Sequence, residues 1–361
     1  MSKILLLVGT GAMGVSLGRR LSERGDNVFV TTRRERPDAG GVKFVHGNAK
    51  EINFLQETLQ NIKPDTVVDF MSYGSAEFAA RKELVLNGTG QYVFMSSCRV
   101  FAGENVHTER SPRLLDVCKD AEYLKTDEYA LAKARSEDAL QDSRLQNWTI
   151  VRPCITYAYP RLQFGCLEAN TFLPRVLQGL SVPIPKEMLQ KRTTMLHGDV
   201  VAEMIARLIG NQKAMGEDFN AVTSESHTWA EVAGLYGEFL GMKIVPCSMD
   251  VYVSFCNPWQ VKFGRMVHHV FDNRKILDVT GMRPGDIVPL REGLLRETKG
   301  ALTTFESVNA DLWRIAKIDC VLKTRFRVCG GWRAQMRYER FKHPAFDFVC
   351  RCGARALRSV L

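Results

Sequence analysis

The sequence predicts an α/β protein built on a doubly wound parallel sheet, followed by a smaller lobe and a basic tail. Three observations predict it. A wholly apolar run near the N-terminus leads directly into a glycine-rich turn, and strand-like runs then alternate with helix-length segments as far as residue 151. The composition, 45% hydrophobic and 25% charged over 361 residues, is that of a packed chain long enough for two domains or one large domain with additions.

Lys3-Ile-Leu-Leu-Leu-Val8 has no polar residue after Lys3, as a strand buried on both faces requires. Gly9-Thr-Gly-Ala-Met-Gly14 follows, then a helix-forming stretch carrying Val15, Leu17 and Leu21 that stops near Gly25. Asn27-Val-Phe-Val-Thr31 closes this first βαβ unit as a second strand. Further strand-like runs lie at Gly41–His46, Thr66–Phe70, Gln91–Met95 and Trp148–Val151, which places helices on both faces of one sheet. After Arg152-Pro153 the pattern loosens: Pro160, Pro174, Pro183 and Pro185 interrupt it, with short helical stretches near 199–210 and 228–240. The expected division is a dinucleotide-binding domain over 1–152, a substrate lobe over 153–300 that is free to interleave with it, and a basic extension over 301–361. Within that extension Leu322–Val328 alternates apolar and basic residues like a strand, and Arg333/Arg337/Arg340 and Arg351/Arg355/Arg358 each fall at helical spacing.

Charge is uneven along the chain. Of the net +9, +7 lies from residue 301 onward, where twelve Lys and Arg face five Asp and Glu. The basic character belongs to the tail and would suit an anionic partner. The longest early apolar run, Ile4 to Val8, is far short of the roughly 18 residues a spanning helix needs and has no small-residue cleavage site behind it, so neither a membrane span nor a signal peptide is expected. Ten cysteines without a CxxC pair or a His-rich companion speak against a zinc module or a disulfide scaffold. A cytoplasmic, metal-free protein is expected.

Gly9, Gly11 and Gly14 form G-x-G-x-x-G between strand and helix. The first glycine permits the tight turn, the second lets backbone amides approach a pyrophosphate, and the third lets the helix pack closely on the strand. A glycine turn without a ligand is the plainer reading; the position straight after a buried strand favours a dinucleotide. Where an acidic side chain would bind an NAD ribose hydroxyl, the second strand ends Thr31-Thr-Arg-Arg34. A guanidinium there can pair with a 2′-phosphate, so NADP is expected ahead of NAD, with solvated loop arginines as the alternative.

Tyr129-Ala-Leu-Ala-Lys133 opens a helical segment preceded by Thr126 and Asp127, both able to cap it. The i, i+4 spacing puts phenol and ammonium on one face, and a nearby ammonium favours the phenolate that exchanges a proton during hydride transfer. Such a pair alone is more often a surface contact. Phe94-Met-Ser-Ser97, a strand ending in two hydroxyls about thirty residues earlier, changes that, because a parallel sheet brings it beside the helix.

Together these pieces resemble the NAD-dependent epimerase/dehydratase family of the extended short-chain dehydrogenase/reductase superfamily, over roughly residues 1–300. Beyond the glycine turn the resemblance rests on Val67-Val-Asp-Phe70, Met95-Ser-Ser-Cys-Arg-Val-Phe101, the Tyr129/Lys133 pair, Val151-Arg-Pro153 with Tyr157, and His197-Gly-Asp199-Val-Val-Ala202. It implies a Rossmann-type fold and an enzyme acting on a nucleotide sugar, in which Ser97 hydrogen-bonds the reacting oxygen, Tyr129 is the acid/base and Lys133 holds the nicotinamide ribose. The residues expected at the cofactor are Gly9, Gly11, Met13, Gly14, Thr32, Arg33, Lys133 and Arg152. At the substrate the resemblance implies Asn170, in Asn170-Thr-Phe-Leu-Pro174, and Arg192 as diphosphate contacts; their plainer roles are a helix cap and a solvated charge. Asp199 as a helix cap and His197 as a satisfied buried imidazole are read as structural.

Two departures bear on the reaction. The family's tyrosine-containing Val-Tyr-Gly is Val100-Phe-Ala-Gly103 here, and the Asp-Glu pair that sugar 4,6-dehydratases carry after the catalytic hydroxyl is Cys98-Arg99. Dehydration is disfavoured, which leaves an epimerase or an NADPH-dependent ketosugar reductase. A homodimer is an allowed assembly. The alternative class is a non-catalytic dinucleotide-fold protein binding RNA or another polyanion through the tail, where Trp313, Phe326, Trp332, Tyr338 and Phe341 interleave with basic residues.

Overall fold

The computed structural model describes residues 1–304 and 310–342. The chain divides into two compact units, the first comprising Met1–Ala158, Arg192–Ser226 and Val267–Gly293, the second Tyr159–Lys191, His227–Met266 and the described chain from Leu294.

The first unit is built on a parallel sheet of seven strands: β1 (Lys3–Leu7), β2 (Asn27–Thr32), β3 (Val42–His46), β4 (Thr66–Asp69), β5 (Gln91–Met95), β6 (Trp148–Pro153) and β7 (Glu217–Ala221). Their order is β7-β6-β5-β4-β1-β2-β3, so the chain reverses its direction of travel at the junction of β1 and β4. Helices α1 (Ala12–Glu23), α2 (Ile52–Ile62), α3 (Ser75–Asn87) and α4 (Tyr129–Gln141) lie in the connections. Ile4 and Leu6 join one core with Leu17 and Leu21 of α1, while Leu5 and Leu7 join the other with Leu55 and Leu59 of α2 and Phe78 of α3. Each such side chain contributes roughly 1.5–3 kcal/mol when fully buried, and burial on both faces is why the strand reads as an unbroken apolar run.

The first strand stops one residue earlier than its apolar run. Val8 turns to a φ of 58°, a left-handed conformation that costs a β-branched residue energy, and its N–H donates to Thr31 Oγ1 at 3.0 Å instead of continuing the ladder.

In the second unit the aromatic rings of Phe164, Trp229 and Tyr236 pack edge to face. Asp319, on the helix Leu312–Leu322, organises the C-terminal part: its buried carboxylate accepts from Arg175 Nη1 at 2.6 Å, from the Tyr338 hydroxyl at 2.5 Å, from the Phe326 amide at 2.7 Å and from Thr324. Burial alone would raise that carboxyl, yet the bonds from Thr324, Tyr338 and Arg175 hold it below its ordinary range. The predicted strand over Leu322–Val328 is not formed. Lys323 takes a φ of 52° after the helix, and the amides of Phe326 and Arg327 bond to the side chains of Asp319 and Gln178. The alternation has another cause: Phe326 is buried in the unit while Arg325 and Arg327 are exposed. Helix Gly331–Lys342 carries Arg333, Arg337 and Arg340, whereas Arg351, Arg355 and Arg358 lie outside the described residues.

No described helix is long and apolar enough to cross a membrane, and no His/Cys/Asp/Glu group among the described residues could hold a metal ion. The eight described cysteines carry free thiols.

Candidate active site

The glycine turn joins β1 to α1. Gly11 is the helix cap, in extended conformation and without a side-chain cap, so the first-turn amides stay open to an anion. A Cβ on Gly14 would lie 2.5 Å from the Gly9 backbone, and one on Gly9 would lie 2.8 Å from Leu6 Cβ. Nothing lies within 4 Å of the equivalent point on Gly11. Two glycines therefore serve close packing and the third faces free space. Met13 is half-buried and packs on the core beneath the turn.

A cleft of 740 Å³ opens over the C-terminal ends of β1 to β4. Val8 and Thr10 line it from the turn, Thr32, Arg33, Arg34 and Arg36 from the end of β2, Asn48 and Lys50 from beyond β3, and Met71 and Ser72 from beyond β4. None of its lining residues is acidic. Thr32 is buried, and its hydroxyl both donates to the Arg34 carbonyl at 3.1 Å and accepts from the Arg34 amide at 3.2 Å, so it shapes the turn that presents the exposed Arg33.

Lys133 sits at the C-terminal ends of two interior strands, β4 and β5. Its Nζ donates to the carbonyls of Met95 at 2.7 Å and Met71 at 3.0 Å, which ties α4 to the ends of β5 and β4 and, through Met71, to the cleft wall. Burial pushes the ammonium down to about 8, against the pull of the Asp69 and Glu137 carboxylates. One turn along α4, the Tyr129 ring sits 6.0 Å from Lys133 Nζ and is 38% exposed. Ser97 follows β5 directly; its Oγ accepts from the Arg99 amide at 3.3 Å. α4 is capped by Glu128, whose carboxylate accepts from the Ala130 amide at 2.9 Å. The two residues expected to cap it do other work: Asp127 accepts from Ser75 at the start of α3, and the Thr126 hydroxyl donates to the Tyr123 carbonyl.

The family model "NAD dependent epimerase/dehydratase family" matches residues 4–221. The chain belongs to this family. A solved epimerase from Methanothermobacter thermautotrophicus shares the fold with a TM-score of 0.65 at 16% identity, covering 85% of this chain and 94% of that one. A UDP-glucose 4-epimerase from Thermotoga maritima, solved with UDP-glucose, matches with a TM-score of 0.63 at 19% identity over 84% of this chain and 99% of that one. Among curated proteins, the chloroplast stem-loop binding protein of 41 kDa b from Arabidopsis thaliana is 27% identical over 234 residues. That match covers 60% of this chain and spans only 58% of the Arabidopsis protein.

In this epimerase/dehydratase chain Arg152 does not face the cleft. It is 2% exposed and held by Glu137 through Nε at 2.7 Å and Nη2 at 2.9 Å, with Asp218 at 2.7 Å from Nη1. Each carboxylate pair spends a guanidinium edge, so Arg152 is a buried tie between β6, α4 and β7 rather than a dinucleotide contact. Glu137 also accepts from Ser96, the first of the two strand-end hydroxyls, and from Arg113 at 3.4 Å. Sequence reasoning passed over Glu137, although it continues the Tyr129/Lys133 stripe by one further turn. Asn170 belongs to the second unit, where its carbonyl accepts from the Asp311 amide at 2.9 Å. Arg192 belongs to the first, with Nε on Ser226 Oγ at 3.0 Å. His197 is the buried, hydrogen-bonded imidazole expected, 2% exposed, but it also caps the helix Gly198–Leu208 in place of Asp199: its Nδ1 accepts from the Asp199 amide at 3.1 Å.

Proposed function

We propose that the chain is an NAD(P)-dependent enzyme acting on a nucleotide-linked sugar, as an epimerase or a ketosugar reductase. The observation that carries this reading is Lys133, whose ammonium joins the wall of the basic cleft to the Tyr129 face of α4. The cleft fits a dinucleotide: Gly14 and Gly9 close the turn, Gly11 leaves room for a pyrophosphate, and the open first-turn amides would meet its charge. When bound, the cofactor supplies the hydride acceptor or donor.

The chain's own residues handle the proton. Tyr129 exchanges it with the sugar oxygen, Ser97 hydrogen-bonds the same oxygen, and Lys133 holds the ribose and stabilises negative charge on the phenol. Arg33, at the end of β2 without a competing carboxylate, would pair with a 2′-phosphate, which favours NADP. Support for the class comes from family relatives: a UDP-glucose 4-epimerase from Thermus thermophilus was solved with NAD, and MoeE5 with UDP-glucuronic acid and NAD. Asn170 and Arg192 are proposed diphosphate contacts. Calorimetric titration tests the cofactor assignment: Gly11→Val should abolish binding, and Arg33→Ala should weaken NADP about tenfold or more while sparing NAD. Equal losses for both nucleotides in Arg33→Ala would show that Arg33 does not read the phosphate.

A second reading, RNA binding, is favoured by one surface. On the helix Gly331–Lys342, the exposed Trp332 and Met336 adjoin the exposed Arg333, Arg337 and Arg340, a stacking platform beside cations at helical spacing. The Arabidopsis relative is named for stem-loop binding.

A further inference from the structure

Arg99 takes no part in the reaction proposed above, yet it touches both of its protein elements. It lies two residues beyond Ser97, its own amide bonds the Ser97 hydroxyl, and its Nη2 lies 2.6 Å from Glu128 Oε1 at the cap of α4. Its guanidinium carbon is 5.3 Å from the centre of the Tyr129 ring. The pair is sequestered, with side chains 17% and 6% exposed for Arg99 and Glu128. The Tyr123 hydroxyl donates to the second Glu128 oxygen at 3.2 Å and fixes that carboxylate.

Resting on the reading of Tyr129 as acid/base, we propose that Arg99 is a positioning residue: anchored by Glu128, it holds the Tyr129 ring beside the Ser97 segment and supplies a second cation favouring the phenolate. A purely structural ion pair is the weaker account. Burying two charges costs about as much as their attraction returns, and Glu128 already serves α4 as its cap. The buried Arg99 Nε has no hydrogen-bond partner among the described residues, so the guanidinium is directed by Glu128 and the ring, not by saturation of its own donors.

The charged groups around the Tyr129 ring act with known sign. Arg99, from the segment after β5, and Lys133, one turn along α4, both favour the phenolate, whereas Glu128 opposes it. Asp127 is turned away to Ser75 and Arg135, and Asp69 and Glu137 act on Lys133.

The test is an ultraviolet difference titration of tyrosinate in the full-length protein without cofactor, with Tyr129→Phe subtracted to isolate one ring. Arg99→Gln should raise the Tyr129 midpoint by roughly one pH unit, since it removes a cation and leaves Glu128 uncompensated, and Glu128→Gln should lower it. Arg99→Lys should stay within a few tenths of a unit of wild type. In turnover, Arg99→Gln should lower kcat about tenfold with KM unchanged, and Arg99→Lys should restore part of it. Midpoints that move in neither Arg99→Gln nor Glu128→Gln overturn the proposal. Should Arg99→Gln fail to fold, Glu128→Gln and Arg99→Lys carry the test. Near-wild-type turnover in Tyr129→Phe would instead overturn the acid/base reading while the titration still reports on Arg99.

Discussion

Lys133 shows how one side chain couples stability to the candidate chemistry. Its folded pKa of about 8 lies below the ordinary 10.5, because burial opposes the ammonium more than Asp69 and Glu137 favour it. Below pH 8 folded and unfolded chains both hold the proton, and the burial cost is constant. Between pH 8 and 10.5 the unfolded chain alone holds it, so folding stability rises with pH, by roughly 3 kcal/mol in all. Urea unfolding of wild type and Lys133→Met should therefore diverge over that window in favour of wild type; parallel pH profiles would refute the depressed pKa. The Tyr129/Lys133 pairing was legible because helical spacing is local. The fate of Arg152 was not: its partner Asp218 joins it only when β7 pairs with β6, from a point far along the chain.

At the scale of elements, the turn between β1 and α1 carries the heaviest constraint. Gly14 approaches the Gly9 backbone so closely that a methyl group would overlap it, and backbone cannot move aside as a side-chain tip can. Gly14→Ala should cost about 1–3 kcal/mol in chemical denaturation and weaken dinucleotide binding, by displacing the start of α1. An unchanged midpoint would contradict the close contact. The sheet strands were legible because burial on both faces selects apolar side chains along the strand middles, Ile4–Leu7 in β1, Val67 and Val68 in β4 and Tyr92–Met95 in β5, with the buried polar Thr66, Asp69 and Gln91 confined to strand ends. The supposed strand at Leu322–Val328 misled because alternation records which side chains are buried, and Phe326 is buried against Ile315, Ala316 and Tyr338 while its amide bonds the Asp319 carboxylate, with no described strand beside it. Helix caps misled in a similar way. Thr126, Asp127 and Glu128 are all chemically able to cap α4, and the choice among them follows from where Ser75 stands in space.

At the scale of the whole molecule, the chain passes back and forth between its two units, so no single boundary in the sequence could separate them. The family's glycine turn, strand-end hydroxyls and helical Tyr-Lys pair all fall in the first unit, the part proposed to hold the dinucleotide, while the exposed basic helix Gly331–Lys342 falls in the second. An enzyme and a polyanion-binding protein thus make different demands on the same fold, and Tyr129 separates them. The decisive measurement is turnover of a nucleotide-linked sugar by Tyr129→Phe beside wild type, with NADP affinity and RNA affinity measured on the same samples. Loss of turnover by roughly 10²–10⁴-fold, with NADP binding intact, is the predicted result. Turnover within a few-fold of wild type, or a wild-type protein that binds RNA but turns over no nucleotide sugar with either cofactor, would contradict it.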